Sequence, residues 1–186
     1  MHKTNRLFPL LLILFMALAS VWLDQISQLG SFGRDLNPSR PEYVSQRVTV
    51  LHFGQTGTLE RRLVADQLWQ YPNRHDVFFK NALLQVFQEG LLDYSVRSQA
   101  GYYNTKTEQA FFSQHVHILK PAHLQTPQIT LDTPEMFLDV RKHYAYSSQD
   151  VTLRYGQSVA QSIGFDYYYD KGIINLRSNV EMRYDE

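Results

Sequence analysis

A short strand-like phrase recurs along this chain, and it limits what the chain can fold into. "AFFSQHVHIL" at 110–119, "AYSSQDVTLR" at 145–154 and "NLRSNVEMRY" at 175–184 align on Val116, Val151 and Val180. A weaker copy, "FFKNALLQVF", lies at 78–87. Each contains an amide residue, and Asn81, Gln114, Gln149 and Asn179 follow one another at steps of 33, 35 and 30. Polar turns, "NTKTEQ", "VRKH" and "DKG", lie just ahead of the three later copies. A repeat of this length marks stacked supersecondary units, each a hairpin too small to bury its own apolar face. The plainer reading is that any β protein of this size alternates Val and Leu. Both readings lead to an all-β chain.

The rest of the segment from 43 onwards agrees. "YVSQRVTVLHF" (43–53) is rich in Val, Thr and aromatics, and "GQTG" (54–57) signals a turn. "TLERRLVADQLWQY" (58–71) places Leu59, Leu63 and Ala65 on one face before "PN" (72–73) breaks it. No sustained helical period follows residue 43; only 67–70 and 80–89 read either way. Twelve Tyr and eleven Phe suit sheets better than helices.

The N-terminus is different. Lys3 and Arg6 precede a run without charge, "LFPLLLILFMALASVWL", from Leu7 to Leu23. As a helix it is about 25 Å long, a little short of the ~30 Å hydrocarbon core. It reads either as a membrane anchor with residues 1–6 in the cytoplasm, or as a signal peptide cleaved after Ala17-Leu18-Ala19. Residues 24–42, polar and broken by Gly30, Gly33, Pro38 and Pro41, read as a tether. Either way the segment 43–186 is exported.

Catalytic signatures are missing. The chain has no Cys, so thiolate chemistry and disulfides are excluded. Eighteen basic and eighteen acidic residues balance, which argues against a nucleic-acid partner. There is no nucleophile elbow, no phosphate loop and no His-Glu-x-x-His. His115 and His117 share a strand face, with His123 beyond, but no carboxylate near them in sequence completes a metal site. They read as surface histidines. Asp132 and Glu135 flank Pro134 and read as a Pro-centred turn rather than an acid–base pair. Tyr167, Tyr168 and Tyr169 read as sheet residues. No catalytic residue, metal or cofactor is expected. What remains is a surface function, either an apolar lining for acyl chains or an unpaired sheet edge.

Four segments taken in order resemble the LptC family of lipopolysaccharide export proteins. They are "GTLERRLVADQLWQY" (57–71), "FFKNALLQVF" (78–87), "DYSVRSQAGYY" (93–103) and "YSSQDVTLRYGQSVAQSIGFDYYYDKGIINLRSNVEMRY" (146–184). The anchor and tether strengthen the likeness. One departure stands out, for Gln114-His115 precede the central Val116 where the family usually has Gly. A turn or bulge built without glycine is expected there.

The resemblance implies a twisted antiparallel β-jellyroll of LptA-like type in the periplasm, held by one inner-membrane span and without enzymatic activity. It implies lipopolysaccharide as ligand, taken from an inner-membrane ABC transporter and passed to a soluble LptA-like bridge protein. The alternatives are the bridge protein itself, or an exported structural or adhesive β protein. Leu59, Leu63, Val96, Val116, Ile118, Val151, Leu153, Ile174 and Leu176 would line the acyl groove. Gly57 and Gly164 would hold the turns before the first long strand and the last strands. The segment 175–184, with Asn175, Arg177, Asn179, Met182 and Tyr184, would offer the C-terminal edge to the bridge, and the N-terminal edge would face the transporter. A charge at Ile118 would then block transfer without unfolding the domain.

Overall fold

The computed structural model describes residues 16, 20, 39–123 and 126–184. By contact the chain divides into 1–37 and Pro38–Glu186. Met16 and Ser20 are helical and exposed. The basic N-terminus, the expected 7–23 span, the Ala17–Ala19 cleavage site and most of the 24–42 tether lie outside the described residues. Among those described, no helix is long and apolar enough to cross a membrane.

The described residues from Tyr43 to Arg183 include one nine-stranded antiparallel sheet in chain order, jellyroll-like in form. The strands are β1 (Tyr43–Phe53), β2 (Leu59–Gln70), β3 (Asp76–Gln88), β4 (Leu91–Asn104), β5 (Gln109–Lys120), β6 (Ile129–Asp139), β7 (Tyr144–Tyr155), β8 (Ser158–Tyr168) and β9 (Ile173–Arg183). The ambiguous stretch 80–89 is strand as far as Gln88, because its alternation buries Ala82 and packs Leu84 against the core. Gly57 holds the turn into β2 at φ +78, a backbone region open to Gly at little cost.

Every strand is interrupted near its middle, and the interruptions line up. The ladder skips Arg47 against Asp66, then Asp66 against Asn81. It slips again where Gln114 and His115 oppose Pro134, where Ser148 and Gln149 oppose Gly164, and where Asn179 and Val180 oppose Ser162. The last three are bulges, two residues against one, which bend a strand and sharpen its twist, while at the first two sites the register is kept. Arg47, Asn81, Gln114, His115, Gly164 and Asn179 all take positive φ there. The recurring amides Asn81, Gln114, Gln149 and Asn179 thus all fall on one fold line. The amides of the repeat mark where each hairpin bends.

The fold line divides the sheet into two leaves. The first holds 48–53, 59–65, 82–88, 91–98, 116–120, 129–133, 150–155, 158–163 and 178–183; the second holds the other half of each strand. Both supply the same apolar cluster. The first leaf gives Ala65, Ala82, Val96, Val116, Leu131 and Val151, and the second gives Phe79, Ala110, Phe112, Met136, Ala145 and Phe165. Gly101 leaves the space that the Phe79 ring fills, since a Cβ there would meet that ring at 2.4 Å.

Two sequence expectations are corrected. Asp132 and Glu135 lie within β6, not at a turn. Pro134 is tolerated in the strand because it sits opposite the bulge, where no ladder bond needs its missing N–H. Gly164 lies inside β8 rather than before it, at φ +80, where a Cβ would meet the Arg177 Cδ at 2.9 Å and the Ser147 carbonyl at 3.1 Å.

Candidate functional site

The two leaves share one apolar cluster across the fold line, so their inner faces form the walls of a trough. Its floor is partly polar. Ser98, Thr133, Ser147 and Ser162 are buried there among the apolar residues. Bulges cost ladder bonds, and hydroxyls replace some of them. Gln149 donates its backbone N–H to the Ser147 Oγ at 3.1 Å, and Ser162 donates to the Gly164 carbonyl at 3.2 Å. Thr133 and Ser147 share a hydrogen bond at 3.2 Å. The Ser98 Oγ is buried without a partner among the described residues.

The expected lining residues fall on this inner surface. Val96, Val116 and Val151 belong to the cluster at the floor, and Leu63, Ile118, Leu153 and Leu176 pack against it from the walls. Leu59 and Ile174 are half-buried. In this state the walls touch one another and the lining is self-packed. Ile118 is part of that packing, so an arginine there would disturb the fold as well as any path through it.

The walls also meet away from the floor. Burial, then the nearby Tyr169 and Tyr167, push the Tyr94 hydroxyl's pKa well up. Burial does the same to Tyr167. The Lys120 ammonium donates to Asp93 at 2.8 Å, which raises its pKa and keeps it charged at that rim. Tyr94 and Lys120 come from the first leaf and Tyr167 from the second.

Beyond the trough, the two sheet edges are open. Neither β1 nor β9 has a second strand partner among the described residues. Both expose large apolar side chains: Tyr43, Val44, Val50, Leu51 and Phe53 on β1, and Ile173, Val180 and Met182 on β9, with Tyr184 just past it. Met182 pairs with the buried Ala160 and so faces inward, yet it is 70% exposed, because no strand covers the trough beyond it. Asn175 and Asn179 are exposed on the same strand.

Arg177 lies on β9, and its side chain turns back to β8. Its guanidinium forks onto Asp166 of β8, with Nε at 2.9 Å and an NH2 at 2.6 Å from the two oxygens. It also donates to Ser148 at 3.2 Å and lies 5.6 Å from the centre of the Tyr146 ring. Tyr144 donates its hydroxyl to the same carboxylate. Arg177 holds Asp166 below the usual carboxylate range, and Asp166 raises the arginine in return. This clamp was not legible in the sequence, because it joins residues eleven and more positions apart.

The histidines resolve in the same way. His115 is exposed at the bulge, and His117 contacts Asp132 at 2.6 Å, a carboxylate that β6 brings across the ladder. Arg154 takes the other oxygen at 2.7 Å. Among the described residues no group of three metal-binding side chains converges.

Comparison with known proteins agrees with this geometry. A crystal structure of LptH from Pseudomonas aeruginosa, described as the LptA-homologous periplasmic component of the lipopolysaccharide transport device, superposes with a TM-score of 0.55. The match covers 68% of this chain and 95% of that one, at 9% identity, so what it shows is the shared fold. Among curated proteins no significant sequence match was found. The family model for LptC-related lipopolysaccharide-assembly proteins matches residues 9–185. That match gives the chain a role in lipopolysaccharide transport, and the chain belongs to the LptC-related family.

Proposed function

We propose that this chain is a non-enzymatic relay. It takes lipopolysaccharide from an inner-membrane ABC transporter and passes it to a soluble periplasmic bridge protein of like fold. The acyl chains lie between the two leaves, taking the place of wall-to-wall contacts. The observation that carries the reading is the trough, apolar along its walls and uncovered at an unpaired edge strand.

Burying an acyl chain contributes about 0.8 kcal/mol per CH₂. Parting the walls gives up contacts of the same kind, so the exchange is close to balanced, as a carrier that must release its load requires. Edge strands with free N–H and C=O groups accept a further strand by β-augmentation. On this reading β1 faces the transporter and β9 faces the bridge. Residues 7–23 serve as a single membrane span, with 1–6 in the cytoplasm and the sheet in the periplasm, and no metal or cofactor takes part.

Photocrosslinking in cells tests it. A photoreactive residue at Ile118 is expected to capture lipopolysaccharide, and one at Met182 a β-rich protein. Absence of a lipid adduct at Ile118 in a folded protein would make the trough plain core and remove the relay. An intact Met1 in the mass spectrum of the cellular protein is expected from the anchor; a start at Ser20 would mean cleavage.

A further inference from the structure

The outer face of the second leaf carries a feature that neither the trough nor the edges use. One register row crosses β2 to β7 as Trp69, Phe78, Tyr102, Phe111, Phe137 and Tyr146, each the direct cross-strand partner of the next. Neighbouring ring centroids lie 4.6 to 5.9 Å apart. All six rings are half-buried. They point away from the core, which the adjacent row containing Phe79, Phe112 and Met136 fills.

A second row on the same face is polar. Asn104 donates to Asp76 at 2.7 Å and Gln109 donates to Asp139 at 3.0 Å. A cavity of about 490 Å³ lies between the rows, lined by Tyr102, Phe137, Tyr144, Asn104, Gln109 and Asp139 among others.

The chemistry of the two rows narrows the occupant. An apolar helix or sheet laid here would strip water from Asp76 and Asp139. An anion would meet the same carboxylates, and the Lys142 ammonium that also lines this cavity is already paired with Asp139 at 3.6 Å. A neutral, hydroxyl-bearing ring fits both rows. Its C–H face stacks on the electron-rich aromatic faces. Its hydroxyls donate to the lone pairs left on the carboxylates and amides. The ring-to-ring step is on the scale of one sugar, and the row runs across the strands towards β9, the direction in which a ligand handed from edge to edge travels.

We propose that this face binds the neutral sugars of the lipopolysaccharide oligosaccharide, guiding the glycan outside the sheet while the acyl chains occupy the trough. The inference rests on the relay reading above. The test uses the full chain in detergent micelles and, as probe, a neutral, phosphate-free hexose oligosaccharide released from lipopolysaccharide, observed by saturation-transfer NMR. Saturation of sugar ring protons is expected, with about tenfold weaker binding in Phe137→Thr, the loss of a single stacked contact plus its hydration. Asp139→Asn keeps the shape of the site and is expected to weaken binding severalfold if Phe137→Thr fails to fold. Lipid adducts at Ile118 without any transfer to the free glycan would overturn this inference and leave the relay standing. Transfer that both folded variants leave unchanged would place the glycan elsewhere. If neither the glycan nor intact lipopolysaccharide engages the chain, both readings fall.

Discussion

The two edge strands look alike in composition and differ in how they are held. β1 and β9 each have eleven residues, one strand partner and several exposed apolar side chains. Behind β9 stands Phe165, fully buried and paired with Leu176. Behind β1 stands Ala65, paired with Val48. β9 is fixed further by the fork from Arg177 to Asp166. β1 has the ion pair of His52 with Glu60, 3.8 Å apart and exposed, and such pairs contribute little. The C-terminal edge is a finished template. The N-terminal edge has no such side-chain fork among the described residues.

The largest break in that contrast comes from the ring behind β9. Phe165→Ala removes a fully buried side chain and is expected to cost about 3–5 kcal/mol. Urea denaturation measures the loss. Hydrogen exchange is expected to rise in β9 before β1; equal loss at both edges would mean that Phe165 serves the whole core and not β9 in particular.

Arg177→Met comes next. It keeps much of the apolar stem but removes the fork, leaving Asp166 with Tyr144. A cost of about 1 kcal/mol is expected, kept low because the arginine is exposed by a third. Faster amide exchange confined to β9 would support the clamp. No change there would show that Leu176 and the ladder suffice.

How much of this was legible follows from where each signal sits. The limits of β1 and the turns at 54–57 and 72–73 were readable, because Gly, Pro and a change of pattern act locally. Ala65 and Leu63 showed as one face by period alone. The recurring amides were visible too, but not their meaning: Asn81, Gln114 and Asn179 hold positive φ, a role usually read from Gly. Gln114-His115 is a two-residue bulge without Gly, so the departure from the family pattern changes the building material and keeps the bend. The Arg177 clamp and the outer aromatic row depend on register across several strands, which one sequence does not display. Whether Val96 or Ile118 lines a groove or fills a core was open from alternation, and in this state they fill it.

Acidity sharpens the comparison at lower amplitude. Arg177 depresses the Asp166 pKa below 3.8, so its contribution is whole above that value. It is lost as pH falls through the depressed folded value. Asp139 behaves alike, chiefly because of the hydrogen bond from Gln109. The stability gap between wild type and Arg177→Met is therefore expected to shrink as pH is lowered from neutral to below 3.8. Denaturation curves at several pH values check it; a constant gap would assign the loss to packing of the arginine stem.

The smallest effect on stability bears most directly on function. Val50 faces the trough from β1, yet it is exposed because no strand lies beyond it. Lysine at an edge blunts strand addition. Val50→Lys is expected to change stability by less than about 0.5 kcal/mol, since it buries nothing new and breaks no ladder bond. Met182→Lys is the matching change on β9. If each edge serves its own neighbour, Val50→Lys lowers crosslinking to the transporter and spares the bridge, and Met182→Lys does the reverse. If the edge without a clamp gains more of its order from its partner, the charge on β1 is expected to weaken association more than the same charge on the clamped β9. Equal losses of both partners from either change would mean that the edges act as one surface, and the distinction between a finished and an unfinished template would not hold.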